Sequence, residues 1–120
     1  KNMFFILIPA FCVNVKLQLF TREEGGREGA IFNGYRVDHK LPNSDFLTMG
    51  PVFFLNEQEK LETGQSTEMQ VWFLSLYDNV PSLKKGDKWN IFEGKRCVGE
   101  CEFLEFVSNE KTVTNNKTIS

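Results

Sequence analysis

The chain has 120 residues, of which 41% are apolar, and it carries 14 basic and 16 acidic residues for a net charge of −2. This length fits one domain with a single core, and the apolar content excludes disorder by composition. Dedicated nucleic-acid-binding domains usually have a clear basic excess, so the charge argues against that class and leaves only a local basic patch as an RNA-binding surface.

The chain starts with an apolar run, from Met3 to Val13. This run is long enough for the core of a signal peptide and too short for a membrane span. Because no small-residue cleavage site precedes Asn14, we expect residues 1–10 to be an apolar lead-in to the first strand. Three cysteines are too few for a disulfide framework, and reduced thiols in a cytoplasmic protein are the simplest interpretation.

Alternating apolar and polar residues predict short β-strands separated by glycine-rich and asparagine-rich turns. The pattern is clearest from Val13 to Leu19, and Met69 to Phe73 predicts a strand that either buries both faces or exposes Trp72. Short strands with frequent turns indicate an all-β sandwich or barrel over residues 1–108, followed by a polar, mobile tail over 109–120. The predicted strands cover residues 12–20, 35–41, 52–55, 67–76, 88–93 and 96–107.

The sequence lacks the residue patterns of common catalytic sites. The single histidine, His39, lies in a predicted strand and is interpreted as structural, and Gly94-Lys95 is followed by Arg96, which does not complete a phosphate-binding loop. Cys97 and Cys101 would share a face of a strand about 13 Å apart, too far for one metal ion. We therefore expect no enzyme activity, no metal and no cofactor.

Two segments resemble a known family. Thr21 to Arg36 reads T-R-E-E-G-G-R-E-G-A-I-F-N-G-Y-R, and Ile91 to Cys101 reads I-F-E-G-K-R-C-V-G-E-C. In this order and spacing they resemble the C-terminal domain of elongation factor Tu, and the resemblance covers residues 11–107. It implies a six-stranded antiparallel β-barrel. In the family, this domain accompanies a GTPase domain, contacts the nucleotide exchange factor and holds the T-stem side of aminoacyl-tRNA. The GTPase domain is absent from this sequence, so no GTP binding is expected.

The resemblance also implies a binding surface on this chain. Its residues are Arg27, Glu28, Arg36, Glu93, Gly94, Lys95 and Arg96. Glu28 stands where the family has a histidine, and Phe92 stands where it has an arginine. Each change removes a phosphate contact, and weak tRNA binding is the prediction.

Two alternatives apply to the charged residues of this surface. Arg27 and Arg36 could instead bind carboxylates or backbone carbonyls and hold the loops together. A compensating basic patch could also form from Lys84, Lys85, Lys88, Lys95 and Arg96.

The expected function is that of a non-catalytic binding module, with a protein partner favoured over tRNA and no membrane association. An immunity or antitoxin role, in which a small acidic domain blocks a basic toxin surface, fits the size and charge. The surface around Arg27, Arg36 and Glu93 should discriminate between the two partners. A continuous positive surface would favour RNA, and an apolar patch rimmed with acids would favour protein.

Overall fold

The first strand of the fold follows the alternation in the sequence. In the computed structural model, which describes residues 11–73 and 82–107, β1 spans Phe11–Leu19. Its polar residues Lys16 and Gln18 are exposed. Because successive side chains of a strand point to opposite faces, β1 presents one apolar face to the core. The buried residues of that face are Val13, Val15, Leu17 and Leu19.

Seven further strands follow among the described residues, and none of these residues forms an α-helix. The strands are β2 (Ile31–Phe32), β3 (Tyr35–His39), β4 (Thr48–Phe54), β5 (Lys60–Leu61), β6 (Ser66–Phe73), β7 (Lys88–Glu93) and β8 (Arg96–Val107). Six of the eight close into an antiparallel barrel in the order β1-β6-β4-β3-β7-β8, while β2 and β5 form a two-stranded ribbon. The predicted all-β fold with a six-stranded antiparallel barrel is therefore confirmed.

The observed strands differ from the predicted ones at several places. β4 begins at Thr48 instead of residue 52. The prediction started the strand too late because Gly50-Pro51, which lies within it, has a composition typical of turns. β3 ends at His39 instead of residue 41, and the two-residue strands β2 and β5 are too short to produce a periodic pattern. The predicted lead-in over 1–10, the strand residues 74–76 and the tail over 109–120 lie outside the described residues.

β6 buries side chains on both of its faces. Met69, Val71 and Phe73 belong to the barrel core, and Gln70 and Trp72 on the opposite face are also buried. The indole N–H of Trp72 donates to the side-chain oxygen of Gln70 at 2.9 Å. This bond satisfies the buried indole N–H, which would destabilise the fold if it had no acceptor. Of the two alternatives for this strand, burial of both faces is the correct one.

The β2–β5 ribbon lies at the end of the barrel where β3 and β6 begin. Ile31 pairs with Leu61, and both side chains are buried in the core. The next pair, Phe32 and Lys60, points to the opposite side of the ribbon and is exposed. The ribbon therefore closes this end of the barrel with one face and turns an aromatic side chain to solvent with the other.

The barrel closes at a short seam between β3 and β7. Only two residue pairs join these strands, Asp38 with Phe92 and His39 with Ile91, fewer than between any other two neighbouring strands of the barrel. A side-chain hydrogen bond extends this seam, because the indole N–H of Trp89 in β7 donates to Nδ1 of His39 in β3 at 2.9 Å. Closure therefore relies on side chains as well as on the backbone ladder.

The polar contacts of His39 fix its protonation state. Its side chain is 0% exposed, and Nε2 donates to the carbonyl oxygen of Gly50 at 2.9 Å while Nδ1 accepts from Trp89. Gly50 leaves room for the ring, since a Cβ there would lie 3.1 Å from Nε2 of His39. Burial lowers the pKa of His39 to about 4, and the hydrogen bond to Gly50 opposes this shift only in part. The ring is therefore neutral at pH 7, as the structural interpretation of this histidine requires.

β8 departs from regular pairing where it follows β7. Ile91 pairs with Gly99 and Phe92 with Cys97, so Val98 is an extra residue in β8. Such a bulge reverses the alternation of side chains. Accordingly, Val98 and Cys101 both belong to the core although three positions separate them, and Cys97 lies outside it. The expectation that Cys97 and Cys101 share a face is wrong for this reason.

Because His39 is the only histidine in the chain, its titration can be isolated. Its pKa is 6.5 in the unfolded chain and about 4 in the fold, so on acidification the unfolded state binds the proton first. The stabilisation is complete above pH 6.5 and is lost as the pH falls towards 4. We expect the free energy of unfolding, measured by urea denaturation, to fall by about 2 kcal/mol between pH 7 and pH 5. The same pH slope in a His39→Leu variant would contradict this assignment.

Gly99 is required by close packing of β8 against β1. A Cβ at this position would lie 2.4 Å from the backbone oxygen of Gln18, which cannot move without disturbing the ladder. We expect Gly99→Ala to lower the free energy of unfolding by about 1–3 kcal/mol. Gly29→Ala is the matched control, because its Cβ would meet only one side-chain atom of Arg27, at 3.9 Å, which is an ordinary van der Waals distance. Equal stability of the two variants in urea denaturation would be inconsistent with this packing constraint.

Candidate functional site

The loop from Thr21 to Ala30 contains Arg27 and Glu28, two of the seven residues of the predicted binding surface, and local hydrogen bonds shape it. Thr21 and Glu24 bond reciprocally, since the backbone N–H of each donates to the side chain of the other, at 2.8 and 3.1 Å. Gly25 has a positive φ of 92°, which favours glycine. Gly26 has a different role, because a Cβ there would lie 2.6 Å from the backbone oxygen of Phe20.

Arg27 clamps this loop to the barrel. Its Nε donates to Oε2 of Glu93 at 2.8 Å, across 66 positions of sequence. Its Nη1 donates to the carbonyl oxygens of Gly29 and Ala30, both at 2.6 Å. A single guanidinium thus joins the end of β7 to the segment that leads into β2.

Tyr35 completes the clamp from the start of β3. Its hydroxyl donates to the same Oε2 of Glu93 at 2.6 Å, and the Arg27 guanidinium lies 5.2 Å from the centre of its ring. We call Arg27, Tyr35 and Glu93 the clamp. Like the bond between Trp89 and His39, it spans the short seam between β3 and β7.

The clamp keeps Glu93 ionised. Burial alone would raise the pKa of this carboxyl group, but hydrogen bonds from Tyr35 and Arg27, with the charges of Arg27 and Arg96, lower it overall. In return, burial and the bond to the Glu93 carboxylate raise the pKa of Tyr35. Neither group is placed to exchange protons near neutral pH, so the arrangement is suited to holding structure.

The structure brings some of the predicted site residues together and separates others. Arg96 joins Arg27 and Glu93, because its Nη1 donates to the carbonyl oxygen of Gly26 at 3.3 Å. Gly94 has a positive φ of 59° in the turn between β7 and β8, and Lys95 beside it is exposed. These residues surround the clamp at one end of the barrel.

Glu28 and Arg36 lie apart from the clamp contacts. Glu28 is exposed, and its carboxylate is 3.9 Å from Arg22. Arg36 is exposed on β3 opposite Pro51, and its side chain makes no hydrogen bond or ion pair with another described residue. Of the two arginines with a structural alternative, Arg27 has the contacts that this alternative requires, and Arg36 does not.

The basic residues that were candidates for a compensating patch do not form one. Lys84, Lys85 and Lys88 lie before or at the start of β7, and Lys95 and Arg96 follow its end, about 17 Å away at the rise of a strand. On β8, Glu102 is the partner of Lys88 and Glu100 is the partner of Asn90, so acidic residues lie beside the path from one group to the other. Across β7, β8, β1 and β6, neighbouring positions in one row alternate in charge as Lys88, Glu102, Lys16 and Glu68. The five basic residues therefore lie in two groups, one at each end of β7, and not in one continuous patch.

A different surface stands out next to the clamp. The side chain of Phe32 is 58% exposed and borders an open depression of about 480 Å³. We call this depression the Phe32 surface. Its residues are Phe32, Asn33, Glu57, Gln58 and Glu59. It combines an exposed aromatic residue with two glutamates that line the same depression, and sequence reasoning did not identify it.

Hydrogen bonds hold the walls of the Phe32 surface in place. The Asn33 side chain accepts from the backbone N–H of Phe54 at 2.7 Å. The Gln58 side chain donates to the carbonyl oxygen of Lys60 at 3.0 Å and accepts from the hydroxyl of Thr67 at 2.9 Å. Because both walls are anchored to strands, binding a partner would cost little conformational entropy in these walls.

Other exposed apolar side chains lie elsewhere. Phe46 is 72% exposed and Leu47 is next to it in the loop between β3 and β4. This loop follows the end of β3, whereas Phe32 precedes its start, so the two aromatic residues lie towards opposite ends of the barrel. Asp45 is adjacent to Phe46 in the sequence.

The described residues offer little for metal or thiol chemistry. No three histidine, cysteine or acidic residues within 11–73 and 82–107 are arranged to hold a metal ion. Burial raises the pKa of Cys12 to about 12, and it raises the pKa of Cys97 and of Cys101 as well. A thiol needs to ionise to be a good nucleophile, so these three are poor ones.

The chain matches no protein-family model and no curated protein. In the described part of the chain, no helix has the length and apolar content needed to cross a membrane.

Arg27 belongs to the clamp and Arg36 does not, so mutation of each arginine to alanine measures what the clamp contributes to stability. Arg27→Ala removes three hydrogen bonds and leaves Glu93 half-buried with one partner fewer, so we expect the free energy of unfolding to fall by about 1.5–3 kcal/mol. Arg36→Ala should change it by less than about 0.5 kcal/mol. Urea denaturation of both variants at pH 7 measures the difference, and a neutral Arg27→Ala would show that the clamp does not stabilise the fold.

Proposed function

We propose that this barrel is a non-catalytic module that binds a protein partner, and that the Phe32 surface is its binding site. The observation that carries the proposal is the exposed ring of Phe32 at a depression that Glu57 and Glu59 also line and whose walls are anchored. Aromatic side chains are enriched at protein interfaces, and an exposed apolar group rimmed by polar residues is typical of such sites. An immunity or antitoxin role is one case of this class.

The charges of the barrel support a protein partner over tRNA. Arg27 and Arg96, the two arginines of the predicted binding surface that lie at the clamp, make their hydrogen bonds with Glu93 and with backbone carbonyls. Two carboxylates border the Phe32 surface, where they would repel a phosphate backbone. RNA binding through this end of the barrel would need unpaired cations, and of the predicted arginines only Arg36 offers one among the described residues.

The relationship to the C-terminal domain of elongation factor Tu belongs to the same proposal. It is supported by the six-stranded antiparallel barrel and by the positive φ of Gly25, Gly34 and Gly94, which lie in the matched segments. We propose that the chain has the fold of this domain. We also propose that it is located in the cytoplasm and that it does not bind GTP.

The absence of enzyme activity in this proposal is supported by the state of the reactive groups. His39 has both ring nitrogens engaged inside the barrel. Burial raises the pKa of all three cysteines. The carboxylate with the most distinctive surroundings, Glu93, is held ionised by the clamp. None of these groups is both accessible and poised for proton transfer or nucleophilic attack.

Affinity capture from native lysate tests the proposal. The tagged protein and its Phe32→Ala variant are each captured with and without ribonuclease, and bound RNA and proteins are both identified. We expect proteins that survive ribonuclease to be retained by the native chain and lost from Phe32→Ala, because truncating an aromatic anchor typically removes most of an interface's affinity. Phe46→Ala is the control, since it removes an exposed phenylalanine at the other end of the barrel. Recovery of tRNA that is released by salt, with no ribonuclease-resistant protein, would overturn the proposal in favour of RNA binding.

A further inference from the structure

The two carboxylates of the Phe32 surface have no cationic partner within the described part of the chain. The ion pairs there join Arg22 with Glu28, Arg27 with Glu93 and Lys60 with Glu62. Glu57 and Glu59 take part in none of them, and their side chains border the depression beside Phe32. The nearest cation along β5, Lys60, lies 3.0 Å from Glu62, which offsets its charge. The depression therefore carries net negative charge around an exposed aromatic ring.

We infer that the Phe32 surface binds an arginine or lysine side chain from a basic segment of the partner protein. This inference rests on the proposed function and specifies the chemistry of its partner. The aromatic face attracts a cation through its quadrupole, and the two carboxylates can accept hydrogen bonds from a guanidinium or ammonium group. The aliphatic stem of either side chain packs on the ring while its charged head reaches the acids.

Charge complementarity selects this occupant over others. An acidic segment or a phosphate would face two like charges at close range. A purely apolar segment would cover the ring of Phe32 but would remove water from Glu57 and Glu59 without replacing it, and burying an unpaired carboxylate is costly. A basic side chain satisfies the ring and both acids together, so it is the group that this surface recognises best.

The clamp gives this surface a fixed position. Arg27 bonds to the carbonyl oxygens of Gly29 and Ala30, immediately before the strand that carries Phe32. Ile31 and Leu61 then lock the ribbon onto the core, which leaves Phe32 on its outer side. The strand that carries Phe32 is thus held before a partner arrives, and Gln58 anchors the loop between the two glutamates.

A peptide titration tests the inference. The probe is a short capped peptide in which arginine alternates with leucine, and its counterpart has uncharged citrulline in place of arginine. Binding to the isotopically labelled full chain is followed by the amide resonances of Phe32, Asn33 and Gln58. We expect the arginine peptide to shift these resonances and to bind about fivefold to tenfold more tightly than the citrulline peptide.

Matched variants separate a specific site from general attraction to an acidic protein. Glu57→Gln/Glu59→Gln and the control Glu23→Gln/Glu68→Gln change the net charge equally, and all four glutamates are exposed. We expect only the first pair and Phe32→Ala to weaken binding of the arginine peptide, by about fivefold or more. Equal weakening in both double variants, or equal binding of the citrulline peptide, would overturn the inference.

The two proposals fail in distinguishable ways. If Phe32→Ala loses its ribonuclease-resistant protein but the arginine peptide shows no preference over citrulline, protein binding stands and the cationic partner is wrong. If neither the captured protein nor the peptide depends on Phe32, both proposals are wrong. Unchanged resonances outside the surface in each variant establish that the barrel itself is intact.

Discussion

The rest of the barrel depends on the seam between β3 and β7. A closed barrel opens most easily where the fewest residue pairs join two neighbouring strands, and this seam has the fewest. Two residue pairs join these strands, a backbone hydrogen bond from Lys40 to Asn90 continues the ladder, and side chains add further bonds at both ends of the seam. Inside the barrel, Trp89 donates to His39, and at the rim Tyr35 and Arg27 converge on Glu93. Both sets consist of polar groups that are at least partly buried. Burial strengthens their hydrogen bonds and would make a group without a partner destabilise the fold. The loop before β2 and the ribbon that closes this end of the barrel are fixed to the same clamp.

The fold could be predicted from the sequence where a pattern is local. The alternation from Val13 to Leu19 indicates one buried face, and glycines at 25, 34 and 94 mark turns whose positive φ the structure confirms. The misses share a physical cause, which is that the deciding contact comes from a distant strand. Gly50-Pro51 has the composition of a turn, but the ring of His39 requires the space that Gly50 leaves inside β4. The bulge at Val98 depends on how β8 pairs with β7, and no spacing within β8 reports it.

The candidate site was less predictable than the fold for the same reason. Arg27 and Glu93 were identified as neighbours only through a resemblance, and the 66 positions between them carry no periodic signal. The exposure of Phe32 could not be predicted, because an aromatic residue before Asn33-Gly34 fits a buried strand equally well. Its exposure follows from the ribbon, where Ile31 takes the inward position and Phe32 must take the outward one. Two-residue strands have too few residues to show such a pattern, so this surface becomes visible only when β2 and β5 are paired.

The roles of the matched residues bear on what the resemblance can imply about function. The two segments that resemble elongation factor Tu are the ones that meet at the clamp, through Arg27 with Glu93 and through Arg96 with the carbonyl oxygen of Gly26. In this barrel, these contacts hold the loop and the β7–β8 turn together. Arg27 and Arg96 therefore have structural roles that do not depend on any RNA surface. Glu28 and Phe92, the two positions where the chain departs from the family's pattern, take no part in the clamp, although Phe92 belongs to the β3–β7 seam. A surface under no such constraint, built on Phe32 and two unpaired glutamates, is where a distinct binding function can be accommodated without disturbing the barrel.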